Sequence, residues 1–215
     1  GWVMPRSQQQ AVLDHCRRLG IWVLADEVYE RLYYGAAEGT AAPSFLDIAA
    51  RDERVVCVNS FSKAWAMTGW RLGWIVAPQA LMGELAKLVE YNTSCSPVFV
   101  QRAGVAALEQ GEAFVREQAA RLKASRDHLV HALSELPAVR VQAPPGAMYL
   151  FFSLPGAESS LALCKALVRE AGLGLAPGSA FGPEGEGFLR WCYACEPARL
   201  DAGVARLRAW LEGHG

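Results

Sequence analysis

The chain has 215 residues, of which 52% are hydrophobic, and 21 Lys and Arg balance 22 Asp and Glu to a formal net charge of −1. No basic patch is interleaved with aromatic residues, which argues against a nucleic-acid partner. No apolar stretch approaches a membrane span and the N-terminal residues do not resemble a signal peptide, so we predict a cytoplasmic protein that binds no membrane.

The first predicted elements are a helix and a strand. The helix runs from about Ser7, a plausible N-terminal cap, to Leu19, and Gly20 ends it. Residues 21–25 are continuously apolar, which is typical of a strand covered on both faces of a parallel sheet. Asp26 follows, at the strand end where open α/β sheets bind ligands, and a carboxylate there needs a cationic or hydrogen-bonding partner.

A second predicted strand, residues 54–60, leads into the most informative segment of the chain. Ser60 and Ser62 precede Lys63, and Arg71 follows eight residues later. Hydroxyls and a guanidinium suit a phosphate, while a lysine can capture a carbonyl as a Schiff base. Taken alone, the segment is also compatible with charged residues that lie at the solvated rim of the sheet and bind no ligand. Together with Asp26, which could pair with a protonated pyridine nitrogen, it indicates pyridoxal phosphate.

The rest of the chain divides into a strand near 71–77, a helix after Pro78, and a mainly helical part from about residue 97. A long helix carries one apolar stripe, formed by Val115, Leu122, Leu129, Leu133 and Leu136. Short strands near 139–142, 148–153, 173–176 and 187–194 then alternate with helices near 159–171 and 197–212. There are no internal repeats.

Arg190 is the only charged residue in the apolar run 188–194. The pattern alone fits two interpretations: a core arginine paired with a structural carboxylate, or a clamp for a ligand carboxylate, which guanidinium geometry favours. The six cysteines do not suggest a disulfide framework in a chain of this size. Cys192 and Cys195 lack the second pair of a zinc site, so no metal is predicted.

Five segments, residues 25–29, 60–71, 145–149, 176–182 and 189–194, resemble the class I/II aminotransferases, which are fold type I pyridoxal-phosphate enzymes. The sequence around Lys63 is most similar to that of bacterial aspartate and broad-range aminotransferases. The resemblance implies an α/β fold in which residues 1–96 are the C-terminal half of the large, mostly parallel sheet domain. Residues 97–215 would form the interdomain helix and the small α+β C-terminal domain.

The resemblance also implies individual roles. Lys63 would form the Schiff base and shuttle the proton, and Arg190 would bind the substrate α-carboxylate. The other cofactor ligands would be Asp26 on the pyridinium nitrogen, Tyr29 on the ring hydroxyl, and Ser60, Ser62 and Arg71 on the phosphate.

The implied activity is transfer of an amino group from an L-amino acid to a 2-oxo acid by a homodimer, and the sequence does not identify either substrate. Two alternatives share the same ring-binding residues: a carbon–sulfur lyase or decarboxylase, and the effector-sensing domain of a transcription regulator. Residues 1–3 resemble the end of the family's Asn-Pro-Thr-Gly turn. We therefore expect a fragment with an incomplete sheet, inactive by itself.

Overall fold

The computed structural model describes residues 1–35, 41–154, 156 and 159–214. The chain divides into two compact units: residues 3–119 form the first, and residues 1–2 with 120–215 form the second. The division falls within a helix, later in the chain than the expected boundary between residues 96 and 97.

Over its described residues, the first unit contains a three-stranded sheet and four α-helical segments. Its strands are β1 (Val23–Asp26), β2 (Val55–Ser60) and β3 (Gly73–Val76). Its helices are α1 (Arg6–Leu19), α2 (Met82–Thr93), α3 (Val98–Gln110) and the first part of α4 (Glu112–Ser134). The sheet order is β1-β2-β3, with β1 parallel and β3 antiparallel to β2. The three strands lie where the sequence predicts them, each shorter than predicted.

The ends of α1 show one error and one success of the sequence interpretation. Pro5, with φ −64°, occupies the N-cap position without a side-chain cap, so the choice of Ser7 was wrong. Proline is tolerated at the N-cap because its carbonyl accepts the first helix hydrogen bonds, from the Gln8 and Gln9 amides. At the other end, Gly20 adopts a left-handed conformation with φ 66°, and the predicted stop is confirmed.

The core of the first unit lies on one face of its sheet. The buried cluster there consists of Leu13, Val23, Ala25, Phe45, Val55 and Cys57. On the opposite face of β1, Leu24 is 73% exposed and Trp22, just before the strand, is 46% exposed. The two-sided cover predicted for residues 21–25 is therefore not found within the part of the chain that the structure describes.

The second unit is an antiparallel sheet with helices. Its strands are β4 (Arg140–Val141), β5 (Tyr149–Ser153), β6 (Ala176–Pro177) and β7 (Phe188–Cys192), in the order β4-β5-β7-β6. Its helices are the rest of α4, α5 (Ser160–Ala166), which continues as a π-turn over Leu167–Ala171, and α6 (Pro197–His214). The predicted stripe is confirmed as buried, although Leu136 lies just beyond the end of α4.

The two faces of β7 have different surroundings. Leu189 and Trp191 are buried, and a Cβ added to Gly203 of α6 would lie 2.6 Å from the Trp191 ring, so glycine allows this helix to approach closely. Phe188 and Arg190 alternate with them and are only half-buried. Arg190 therefore lies on the face turned away from α6.

Candidate cofactor and substrate site

The parallel pairing of β1 and β2 brings two of the predicted site residues to one edge of the sheet. Asp26 ends β1 and pairs in register with Val58, two residues before Ser60 ends β2. The Asp26 carboxylate is exposed and accepts a hydrogen bond of 3.2 Å from the Val28 amide. Among the described residues no cation pairs with it, so its charge is available to a ligand.

Ser60, Ser62 and Arg71 form one polar cluster after β2. The Ser62 amide donates to Ser60 Oγ over 3.0 Å, and Arg71 Nη1 lies 3.5 Å from Ser62 Oγ. Arg71 also donates to the Thr68 carbonyl over 2.9 Å. Its φ of 52° is uncommon outside glycine and costs on the order of 1–3 kcal/mol. The turn thus holds a guanidinium beside the Ser62 hydroxyl, while the Ser60 hydroxyl donates to the Leu72 carbonyl over 3.4 Å. Guanidinium and hydroxyl groups are donors that suit a phosphate.

Lys63 lies in the turn that follows β2 and is half-buried. Its Nζ is 5.5 Å from the centroid of the Tyr29 ring. Within the described part of the chain, this ammonium makes no hydrogen bond and no ion pair. Because a partly buried cation without a partner is unfavourable, the amine is better explained by a ligand than by a structural ion pair.

An aromatic cluster behind this turn fixes its backbone. Phe61 lies 5.2 Å from Trp65 and 5.0 Å from Trp74 between ring centroids, and the Trp65 indole donates to the Ala107 carbonyl of α3 over 3.0 Å. Gly73 lets β3 approach β2, since a Cβ there would lie 2.5 Å from a backbone oxygen. This packing explains why α3 belongs to the first unit and not to the part starting at residue 97.

The loop after β1 is held by Glu27. Its carboxylate accepts hydrogen bonds from Ser44 Oγ at 2.7 Å and from the Phe45 amide at 3.0 Å. Burial, followed by the charge of Glu27, raises the pKa of Cys57 to about 12 and also raises the pKa of Glu30. Glu27 therefore anchors the turn that carries Asp26 and Tyr29, a role that the sequence interpretation missed.

Arg190 lies in the second unit, opposite Phe151 in the β5–β7 register. Its Cζ is 4.3 Å from the ring centroid of Tyr149 and 4.3 Å from that of Phe181. The guanidinium makes no hydrogen bond or ion pair with any described residue, so the carboxylate expected of a structural arginine is missing there. The pKa of the Gly1 amino group is lowered by burial and then by the Arg190 charge.

The two rings beside Arg190 were also missed from the sequence. Tyr149 and Phe151 occupy alternate positions of the predicted strand 148–153, which places both rings on one face. This alternation of aromatic residues could have identified Tyr149 from the sequence. Phe181 ends a short 3₁₀ helix before β7, and no local pattern relates it to Arg190.

No helix in the described ranges combines the length and the apolar character needed to cross a membrane. The chain matches the family of class I and II aminotransferases over residues 1–207. It is 34% identical over 216 residues to an aspartate aminotransferase of Pyrococcus horikoshii, covering 99% of this chain and 54% of that protein. A probable aspartate/prephenate aminotransferase of Aquifex aeolicus is 33% identical over 218 residues, with 99% and 54% covered.

The solved structures that the chain resembles also include aminotransferases. The chain superposes on the crystal structure of an aromatic aminotransferase from Pyrococcus horikoshii with a TM-score of 0.92 and 30% identity, covering 99% of this chain and 57% of that one. The chain thus spans about half the length of the curated relatives it matches. It belongs to the class I and II aminotransferase family, and both the predicted family and the predicted α/β, fold type I architecture are confirmed.

Proposed function

We propose that the protein is a pyridoxal-phosphate-dependent aminotransferase that moves an amino group from an L-amino acid to a 2-oxo acid. The observation that carries the proposal is Lys63, a half-buried amine that makes no hydrogen bond and no ion pair with any described residue. It follows Ser60 and Ser62, which gather with Arg71 into a phosphate-type donor set. Family membership supports the same activity.

The residues in the first unit fit this cofactor by their chemistry. Ser60, Ser62 and Arg71 would hold its phosphate, and Asp26 would hold its protonated ring nitrogen through a charge-assisted hydrogen bond. Tyr29 would donate to the ring oxygen. When bound, the cofactor supplies an electron sink for the carbanion that forms at the substrate α-carbon.

Two side chains would act on the substrate. Lys63 Nζ would bind the cofactor covalently at rest, and after substrate has displaced it, the free amine would move the proton at the α-carbon. Arg190 would hold the α-carboxylate, because its donors face no acceptor among the described residues and a guanidinium binds a carboxylate in two-pronged geometry. Each role requires a cationic side chain that does not already form an ion pair, and neither Lys63 nor Arg190 forms one with a described residue.

The proposal extends to the class of substrate but not to one amino acid. The relatives are named as an aspartate aminotransferase, a probable aspartate/prephenate aminotransferase and an aromatic aminotransferase, so their names share amino-group transfer but no single side chain. Assembly as a homodimer is part of the same proposal, and light scattering of the purified protein would test it.

The decisive experiment is a product assay on the protein as its gene encodes it. A panel of L-amino acids is incubated with 2-oxoglutarate, and glutamate, ammonia, carbon dioxide and thiol are all measured. We expect glutamate and the matching 2-oxo acid in equal amounts. Ammonia with thiol would favour the lyase alternative, and carbon dioxide the decarboxylase. No turnover, with binding of an amino acid and a DNA duplex, would favour the regulator.

A further inference from the structure

The proposed role of Arg190 does not explain how its guanidinium is held in place. A long, flexible side chain must keep its guanidinium in one place to bind a carboxylate tightly, and free rotation would cost binding entropy. Arginines are usually held by hydrogen bonds or ion pairs. Among the described residues, Arg190 makes neither, and its contacts are with the Tyr149 and Phe181 rings at 4.3 Å each.

Aromatic rings can hold a guanidinium without consuming its donors. The attraction acts between the cation and the π-face of the ring, whereas the N–H groups point outward in the guanidinium plane. A carboxylate from the protein would hold Arg190 equally well, but it would occupy the same donors. Ring contacts restrict the side chain and still leave those donors for a ligand.

We propose that Tyr149 and Phe181 are positioning residues that hold Arg190 in place for a substrate carboxylate. The inference rests on the proposed function, because it assumes that Arg190 meets the α-carboxylate. The two rings come from different elements, since Tyr149 begins β5 and Phe181 ends a short 3₁₀ helix before β7. The contact therefore depends on the folded arrangement of this unit.

The proposal predicts a specific kinetic pattern for Phe181→Leu and Tyr149→Leu in the protein as its gene encodes it. Each should raise KM about five-fold, since one ring contact is worth about 1 kcal/mol, while kcat changes less than about two-fold. The increase should be equal for L-aspartate and L-phenylalanine, because both carry the same α-carboxylate. Phe181→Tyr keeps the ring and should retain the original KM.

Phe188→Leu is the matched control. Phe188 stacks on Phe151 at 4.9 Å on the same sheet face, but it is not one of the rings that contact Arg190. Its loss should leave KM unchanged. Phe181 is 52% exposed, so its truncation leaves no buried cavity, and thermal unfolding checks that each variant is folded. Tyr149→Leu serves as the second test if the Phe181 variant does not fold.

Calorimetry with two carboxylate probes, succinate and 3-phenylpropionate, separates this inference from the proposed function. If the protein does not transaminate but Phe181→Leu and Arg190→Ala weaken both probes, the positioning inference holds and the proposed activity fails. If the protein transaminates and the leucine variants behave like Phe188→Leu, the positioning inference is overturned. An effect on only one amino acid or one probe also overturns it, because the rings would then contact the substrate side chain.

Discussion

Replacing Lys63 by alanine should separate activity from stability. The Lys63 ammonium makes no hydrogen bond and no ion pair within the described residues, and its one recorded contact is the Tyr29 ring at 5.5 Å. A cation–π contact that is partly exposed contributes about 0.5–1 kcal/mol. The free energy of unfolding should therefore fall by no more than about 1 kcal/mol, or about 2–4 °C in Tm for a protein of this size.

The expected effect on turnover is far larger. If Lys63 moves the α-proton, its loss removes a general acid–base catalyst, which is worth about 10²–10⁴-fold in rate, and also removes the covalent attachment of the cofactor. Single-turnover kinetics with excess enzyme measures this step. Borohydride reduction of the wild type, followed by peptide mass spectrometry, should find the cofactor on Lys63.

Lys87→Ala is the matched control for Lys63→Ala. Lys87 lies exposed on α2 and pairs with Glu84 at 2.8 Å, so its loss should affect neither rate nor Tm measurably. The reasoning is refuted if Lys63→Ala keeps wild-type turnover or if borohydride fixes the cofactor to another lysine. A loss of more than about 3 kcal/mol in stability would instead show that the amine is structural.

Other residues give further tests. Asp26→Ala should slow α-proton abstraction by several orders of magnitude and Asp26→Glu should slow it less, because the carboxylate keeps the ring nitrogen protonated; near wild-type rates for Asp26→Ala would make Asp26 structural. Arg190→Lys should weaken all amino acids and 2-oxo acids together, since an ammonium lacks the planar fork, and an effect confined to acidic substrates would mean that Arg190 contacts the substrate side chain. Cys57 should resist alkylation at pH 8 while exposed Cys95 reacts, because burial and the Glu27 charge raise the pKa of Cys57 to about 12; time-resolved mass spectrometry checks the order, and equal rates in the folded protein would contradict it.

Local patterns predicted the strands well, and with them the placement of two candidate site residues at strand ends. The apolar run before Asp26 and the run before Ser60 became β1 and β2, and their parallel pairing placed both residues at one edge, as expected for strand ends in such sheets. The buried stripe of α4 was also predicted correctly, because its helical spacing of apolar residues is visible within one continuous stretch of the sequence.

Contacts between distant residues were not predictable in this way. Trp65 anchors the Lys63 turn by donating to Ala107, which is 42 positions further along the chain. Nothing in the residues near Trp65 identifies that acceptor, so the sequence did not predict that α3 packs with the first unit. The contacts of Glu27 and of Phe181 were missed for the same reason.

A comparison of Arg31 with Arg190 shows which feature points to a role in ligand binding. The presence or absence of a carboxylate partner is more informative than the contacts with aromatic rings. Arg31 lies 5.9 Å from the Trp65 ring centroid, and its Nη2 also donates to both Glu112 carboxylate oxygens over 2.6 and 2.7 Å. The chain thus supplies a carboxylate to a partly buried arginine whose role is structural. Arg190 lies closer to two rings, at 4.3 Å from each centroid, but has no carboxylate among the described residues. Because unpaired charge at a partly buried position lowers stability, folding alone does not account for Arg190, which supports the proposal that a ligand supplies its carboxylate.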